Sequence, residues 1–502
     1  MGNQSNVYAP AKTGLSRVFV IEGRARGDHR PDYYSQFKMG GVSQSFGDVT
    51  KIEIPDPDNY EGYIEVDRIR GAKERATASL IGRYASGLKS KLLELADRAC
   101  PVDVQLHMGS CTDPSSFNTF TKGMILEDVL VTNHSTDDLG SLGSDENAQI
   151  NETAEISAVK YYEVLPMAYV SRAGDIITNA ILDIVVGDRA SCGGCGIESD
   201  GCQAIFALST AAGGSPGTSC DIVFSFNGGD SWKAHDVDTL TTAIVPSSLA
   251  VVGDYLCVIS NTDNSVNYCS VTDLRDGIDP VFTKVSTGLS ALGKPNHIEA
   301  QGRKAFICGD YGFVYFMEDP ASGVTVLESG TATISKLNYI HAIDQYNAVA
   351  VGNDGAVIYT RDRLSWDVVV KKPTAVGVHL LSVFMKSSTE WWVTASNGTM
   401  YYTQNSGKTW TQKALPGTAP TKMSHVEFAT NSVGFASGVV SSTGRLYRTF
   451  DGGYSWVVAP ESGTFPANVE LTRIATCKTD PNFVVCGGLA VGGTDGFIAV
   501  GS

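Results

Sequence analysis

Three short stretches of this chain repeat one pattern: Ser225-Phe226-Asn227-Gly228-Gly229-Asp230-Ser231-Trp232, Thr403-Gln404-Asn405-Ser406-Gly407-Lys408-Thr409-Trp410 and Thr449-Phe450-Asp451-Gly452-Gly453-Tyr454-Ser455-Trp456. Each runs Ser/Thr, one residue, Asp/Asn, one residue, Gly, two residues, Trp. A degraded copy, Thr360-Arg361-Asp362-Arg363-Leu364-Ser365-Trp366, has lost the Gly and one residue. Trp366, Trp410 and Trp456 then lie roughly 45 residues apart, the length of a four-stranded repeat unit. Self-similarity at that period constrains the fold of about two thirds of the chain before any single residue is interpreted. Further remnants stand at 268–273 and 315–319, where the spacing leaves room for two more units.

The pattern resembles the Asp-box, the hairpin signature of bacterial-neuraminidase-type repeats. Each unit has an upstream half in which two short apolar runs flank a Gly-containing turn; at 348–359 and 392–402 the turn is Asp-Gly and Asn-Gly, the strongest short hairpin signal. Six boxes or remnants and a terminal half-unit at 491–500 predict a seven-bladed β-propeller. The expectation is that an early strand within 176–186 closes it and hides the edges an open array would expose. The box chemistry is local. Asn227, Asn405, Asp451 and Asp362 should accept backbone N–H groups of their own turn. Gly229, Gly407 and Gly453 should take positive φ. Ser225, Thr403 and Thr449 open the box, and Trp232, Trp366, Trp410 and Trp456 cover its hairpin. In the families that carry Asp-boxes these residues sit away from the active centre, so no catalytic role is read into them.

Composition narrows the function. The chain has 502 residues and a formal charge of −16, which argues against a protein that coats DNA or RNA with a basic face. It leaves room for a surface past which phosphates slide without sticking. No apolar run is long enough to span a bilayer, and the start, Met1-Gly2-Asn3-Gln4-Ser5-Asn6, lacks a Sec signal and a myristoylation signal. Assembly in a cytoplasm, with no membrane insertion, is the expectation. Cys192, Cys195, Cys202 and Cys220 cluster at the start of the repeats. Their default reading is unpaired thiols, with half a zinc site or one or two disulfides as alternatives. Cys257, Cys308 and Cys486 sit in apolar strand patterns and read as core. No metal and no cofactor are expected.

Residues 1–172 contain no box. Strand patterns run over 15–22, 62–70, 74–84, 102–108, 122–133 and 150–170. Val102, Val104, Leu106 and Met108 alternate with polar residues, the mark of a half-buried strand. One helix is predicted over 86–99, with Leu88, Leu92, Leu95, Ala96 and Ala99 on one face and Pro101 beyond its end. Polar insertions are expected at 24–60 and 135–147. The order of these segments, with Phe117-Asn118-Thr119-Phe120 leading into Ile125-Leu126-Glu127-Asp128-Val129-Leu130-Val131 and then Asn151-Glu152-Thr153-Ala154-Glu155-Ile156-Ser157-Ala158, resembles the major tail tube protein of long-tailed bacteriophages over about residues 10–172.

That resemblance implies a virion protein of the tail. Six copies would form a ring, and rings would stack helically into a tube that conducts double-stranded DNA, which is only in transit. Other tail proteins are the further partners. The fold class read from the whole chain is all-β with one helix: a tail-tube-type β-sandwich or barrel over 1–172, then the propeller over 173–502. The propeller would decorate the exterior, brace neighbours or adhere weakly to host surface glycans. An inter-ring loop is expected within 24–60, with Arg26, Asp28, Tyr33, Tyr34 and Phe37, and strands 61–70 and 74–84 are candidates for the lumen.

The alternative is a glycan-binding Asp-box protein, or a sialidase-like glycoside hydrolase, with an accessory β-sandwich. Sialidases need three clustered Arg and a Tyr–Glu nucleophile pair. Arg303, Arg361, Arg363, Arg445, Arg448 and Arg473 are present, but three of them fall in or beside box turns and no Tyr–Glu pairing stands out. The chain is therefore read as a non-enzyme. The repeats also resemble the assembly factor of photosystem II, a non-enzymatic Asp-box propeller that needs an export signal.

Overall fold

A computed structural model of the chain describes residues 16–21, 31–34, 38–44, 50–55, 63–69, 74–83, 95–97, 101–108, 122–136, 151–165, 167, 169–172, 180–187, 203–209, 221–236, 246–261, 264–278, 281–285, 292–320, 323–327, 332–459, 469–490 and 496–501. The chain divides into two units, Met1–Leu165 and Pro166–Ser502.

The first unit is built on a seven-stranded antiparallel sheet. Its order is Pro31–Tyr34, Ser16–Ile21, Val102–Met108, Lys122–Thr136, Asn151–Val164, Ala76–Arg83, Lys38–Met39. One face carries a core of Val18, Val20, Leu80, Val104, Leu126 and Ile156, against which Leu95 packs. Leu95 stands in the short helical piece that the structure describes within the predicted helix; the rest of 86–99 lies outside the described residues. Among the described residues the sheet is open and no pairing closes it into a barrel.

Several sequence expectations change here. Val102–Met108 is buried along both faces: Asp103, Gln105 and His107 are covered as well. Each of these polar side chains is met by partners. Asp103 accepts the N–H of Asp128 at 3.0 Å, His107 lies 3.0 Å from Gln105, and the His107 ring packs on Phe19. Asp128 itself adopts φ 55°, and its N–H turns to Asp103 where the ladder is irregular. The insertion at 24–60 is partly strand. Tyr33 and Tyr34 pair with Phe19 and Val18 in an edge strand instead of lying in a free loop, while Arg26, Asp28 and Phe37 lie outside the described residues. Of the two strands proposed for the lumen, Ala76–Arg83 belongs to the main sheet. Tyr63–Ile69 pairs instead with Thr50–Pro55 in a separate two-stranded sheet.

Among its described residues the second unit consists of seven four-stranded antiparallel sheets. Their first strands are Ile181–Gly187, Pro246–Val252, Pro295–Gln301, Leu337–Ala342, Leu380–Met385, Lys422–Phe428 and Val469–Thr476. Each touches the next, and the last touches the first. Four-stranded sheets arrayed around an axis in this way are a β-propeller arrangement. Cores form between neighbouring sheets, as where Val349, Val351 and Val357 of one pack on Val383, Trp391 and Val393 of the next. In the second sheet a helix, Val271–Asp276, capped by Ser270 and ended by Gly277 in the left-handed region, stands where the box turn would be. Cys257, Cys269 and Cys308 are buried free thiols, and Cys486 is buried as well. Cys192, Cys195, Cys202 and Cys220 lie outside the described residues.

The closing strand is not the one predicted from 176–186. Ile181–Gly187 is an inner strand of the first sheet, and Tyr169–Arg172 closes the last sheet by pairing with Ile498–Gly501. An apolar run with polar punctuation fits either role, so pattern alone does not separate them. Tyr169–Arg172 thus belongs to the second unit, which begins at Pro166. A fragment starting at residue 173 should be less stable than one starting at 166 by on the order of 2–5 kcal/mol, given net gains of about 0.5–1.5 kcal/mol per hydrogen bond. Urea denaturation of both fragments measures this; equal midpoints would refute the closing role.

Candidate functional site

The box residues form compact turns. In the first box Gly229 N–H donates to Ser225 Oγ at 2.9 Å and Ser231 N–H to Asn227 Oδ1 at 2.9 Å, while Trp232 Nε1 donates to the Gly229 carbonyl at 3.0 Å. Thr403, Asn405 and Gly407 repeat the first two contacts, and Thr449, Asp451, Gly453 and Trp456 repeat all three. Trp410 Nε1 turns instead to the Lys371 carbonyl. In the degraded copy Asp362 accepts from Leu364 and Ser365. The Trp366 indole N–H is buried with no partner among the described residues, because the Gly whose carbonyl serves Trp232 and Trp456 is missing there.

The box glycines also abut the preceding sheet. A Cβ on Gly229 would come within 2.8 Å of Val500, on Gly407 within 2.4 Å of Val369, and on Gly453 within 2.4 Å of Trp392. Gly453 sits at φ +98°, whereas Gly417, at φ +80°, faces open space. Gly453→Ala should therefore cost about 2–5 kcal/mol, combining left-handed strain of ~1–2 with overpacking of ~1–3. Gly417→Ala should cost only the strain, about 1–2 kcal/mol. Chemical denaturation of the two variants tests the difference.

The axis holds the chemistry that sequence reading passed over. Every inner strand has a register shift near its start: at Ile181/Asp183, Pro246/Ser248, Pro295/His297, Leu337/Tyr339, Leu380/Ser382, Met423/His425 and Leu471/Arg473. The residue that follows each shift is polar. Such a bulge releases backbone groups from the ladder, and buried backbone groups must be paired. The preceding sheet supplies the partner. Asp183 accepts from Leu249 N–H (3.1 Å), Ser248 from Ile298 N–H (3.3 Å), His297 Nδ1 from Ile340 N–H (3.5 Å) and Ser382 from Val426 N–H (3.4 Å). The residue inside the bulge serves the next sheet's carbonyl. Ser247 donates to Pro295 O, Asn296 to Leu337 O, Asn338 to Leu380 O, and Thr472 to Ile181 O at 2.9 Å, which joins the last sheet to the first.

Across the axis these side chains also meet one another. Asp183 accepts from Ser248 Oγ and lies 3.4 Å from Arg473 Nε. The Arg473 guanidinium stands 5.5 Å over the Tyr339 ring, His297 stacks on Tyr339 at 3.6 Å, and Tyr339 OH lies 2.8 Å from His425 Nε2. Burial, with Arg473 adding to it, drives His297 and His425 well below the usual imidazole range. Burial raises Asp183 against the pull of Arg473.

Two residues further along, a second layer lines a cavity of about 120 Å³: Glu299, His341, Phe384 and Glu427, with Thr476 and Lys478 beside them. Here too each acceptor serves the next sheet. Met385 N–H donates to His341 Nδ1 at 3.2 Å, and Thr476 Oγ1 to Glu427 at 3.1 Å. His341 Nε2 lies 3.7 Å from Glu299. Glu299 is enclosed by protein but touches the channel space; burial pushes its carboxyl up to about 8, against the pull of Lys478. Glu427 is pushed up to about 7 by burial, against its bonds to Thr476. His341 is pushed down to about 3 by burial, with Lys478 adding to it.

The arginines of the hydrolase reading do not gather. Arg303 pairs with Asp254, Arg361 with Ser406 and Arg363 with Glu318. Arg448 bonds Asn482 and stands over Phe450. Arg445 lies in the third strand of its sheet, and Arg473 is the member of this set found at the axis. Among the described residues no group of three His, Cys, Asp or Glu is placed to hold a metal ion. No described helix is long and apolar enough to cross a membrane.

The family described as Photosynthesis system II assembly factor YCF48 matches residues 347–449, a segment that includes the box at 403–410 and the degraded copy at 360–366. No curated protein matches the chain. Solved structures similar to it include YCF48 bound to D1 peptide (14% identity, TM-score 0.47, covering 67% of this chain and 95% of that one). YCF48 from Cyanidioschyzon merolae is similar at 14% identity, TM-score 0.49, 66% and 98% coverage. U3-55K is similar at 12% identity, TM-score 0.47, 67% and 99% coverage.

Because burial pushes the Glu299 carboxyl up to about 8 in the folded chain, from about 4.5 for a free glutamate, the folded state holds the extra proton between those values. Its contribution to stability is present below about 4.5 and is lost as pH rises through about 8. Glu299→Gln removes that loss. Relative to the parent, this variant should gain stability at pH 9 compared with pH 5, which paired urea titrations at the two pH values measure. A difference that does not change with pH would refute the buried-acid assignment.

Proposed function

We propose that the chain is a structural, non-enzymatic virion protein of a long-tailed phage, whose first unit assembles into stacked hexameric rings forming the tail tube. The second unit is read as a seven-bladed propeller carried as decoration, brace or weak binder of host surface glycans. The observation that carries the first part is the open antiparallel sheet of residues 1–165. Among the described residues its two outermost strands, Pro31–Tyr34 and Lys38–Met39, each pair on one side only. Unpaired edges template pairing with a further chain, and head-to-tail pairing of identical units generates rings when the rotation closes. The acidic balance of the chain suits a lumen through which duplex DNA passes without binding. Seven blades are supported by the cyclic contact of the inner strands and by the bond from Thr472 to Ile181 O. The dispersal of the arginines supports a non-enzyme.

Electron microscopy of fragment 1–165 should show smooth tubes, and the full chain tubes with projections. Monodisperse monomer for both at high concentration would refute the tube.

A further inference from the structure

We propose that the axial cavity beside Glu299 and Glu427 is a binding site for an organic cation, an alkylguanidinium or alkylammonium group entering along the axis. The inference concerns the second unit alone and stands whether or not the first unit polymerises.

The two carboxyl groups come from inner strands of the third and sixth sheets and line one partly open space with Tyr339, His341, Phe384 and Thr476. That space, about 120 Å³, holds about four waters at roughly 30 Å³ each, or one planar guanidinium. Two acids lining one cavity present acceptor oxygens to the same volume, and a guanidinium fork matches carboxylate geometry. Phe384 adds an aromatic wall, which favours a cation. Both faces of Tyr339 are already taken, by Arg473 and by the stacked His297, so its hydroxyl edge is what it offers the cavity.

Competing ligand classes fit less well. Of the two basic groups near the cavity, Arg473 is engaged with Asp183 and Lys478 stands exposed beside it, so an anion would face two carboxyls with little compensation. A metal ion lacks its cluster of donors among the described residues.

The groups facing the two acids are Asp183, which repels them; His341, which is neutral; Tyr339; and Lys478, which draws both downward. Burial raises both carboxyls, and the Glu427 carboxylate raises Glu299 further, so each holds part of its proton near neutrality. An entering cation therefore displaces protons: each carboxylic O–H loses its proton to buffer as the N–H···O⁻ contact forms. Binding must then strengthen with pH, by up to tenfold per pH unit for each acid that deprotonates.

The test is isothermal titration of the full chain with n-butylguanidinium at pH 6.5 and 8.5, in buffers of different ionisation enthalpy so that released protons are counted. The expected result is saturable one-to-one binding, tighter at the higher pH and accompanied by proton release. The Glu299→Gln, Glu427→Gln double variant should bind at least tenfold more weakly at pH 8.5. Gln mimics the protonated acid, so this variant should fold, and circular dichroism confirms it. Lys478→Ala should tighten binding by removing a competing cation. A parallel titration with an N-acetylated, C-amidated Gly-Arg-Gly peptide distinguishes the source. Tighter binding than the free cation assigns the site to an arginine of a protein partner, and equal or weaker binding to a small amine. Absence of saturable binding by the parent chain at pH 8.5, or undiminished binding by the folded double variant, would overturn the proposal.

Discussion

Each inner strand of the second unit is bulged at one place, and at six of the seven a side chain of the preceding sheet bonds a backbone group beside the bulge. This exchange is what makes separate four-stranded sheets into one ring. Apolar packing between sheets tolerates sliding and rotation, because dispersion is not directional. A hydrogen bond between Asp183 and Leu249 N–H, or between Thr472 and Ile181 O, fixes azimuth and height together. The bond from Thr472 to Ile181 O spans nearly the whole unit in sequence. It operates beside Tyr169–Arg172, which closes the same sheet from its outer edge.

The polarity of the axis follows from this need. A Leu or Val at Ser248 or Ser382 would leave the next sheet's N–H unpaired in a buried site, at a cost of about 1–3 kcal/mol. Once polar residues are required, their identity is free within the class of acceptors, and that freedom lets ionisable groups gather. Asp183, His297, His425 and Arg473 occupy one layer, and Glu299, His341 and Glu427 the next. Desolvation then separates their protonation states: imidazoles neutral, carboxyls raised. The electrostatics of the channel are thus a by-product of holding the ring together.

The outer turns were legible in the sequence because their logic is local. Ser225, Asn227, Gly229 and Trp232 contact one another within a few residues, so their spacing records their geometry. The bulge positions leave a fainter trace. Ser247-Ser248, Asn296-His297, Asn338-Tyr339, Ser424-His425 and Thr472-Arg473 are polar pairs in otherwise apolar strands, at intervals of roughly 45 residues, the length of the repeat. That trace is weak because the partner of each lies in the next sheet and the residue type varies from Ser to Arg. Tyr33 and Tyr34 were harder still, since a short edge strand amid polar residues has no periodicity to show.

By itself the sequence determined the class of the second unit, its repeat length and the hairpin turns, because those rest on φ preferences and hydrogen bonds within one turn. Only the tertiary structure decided which strand closes the last sheet, that both faces of Val102–Met108 are buried and which polar residues meet at the axis. These depend on backbone groups left unpaired by one sheet and satisfied by another, and no window along the chain contains both partners.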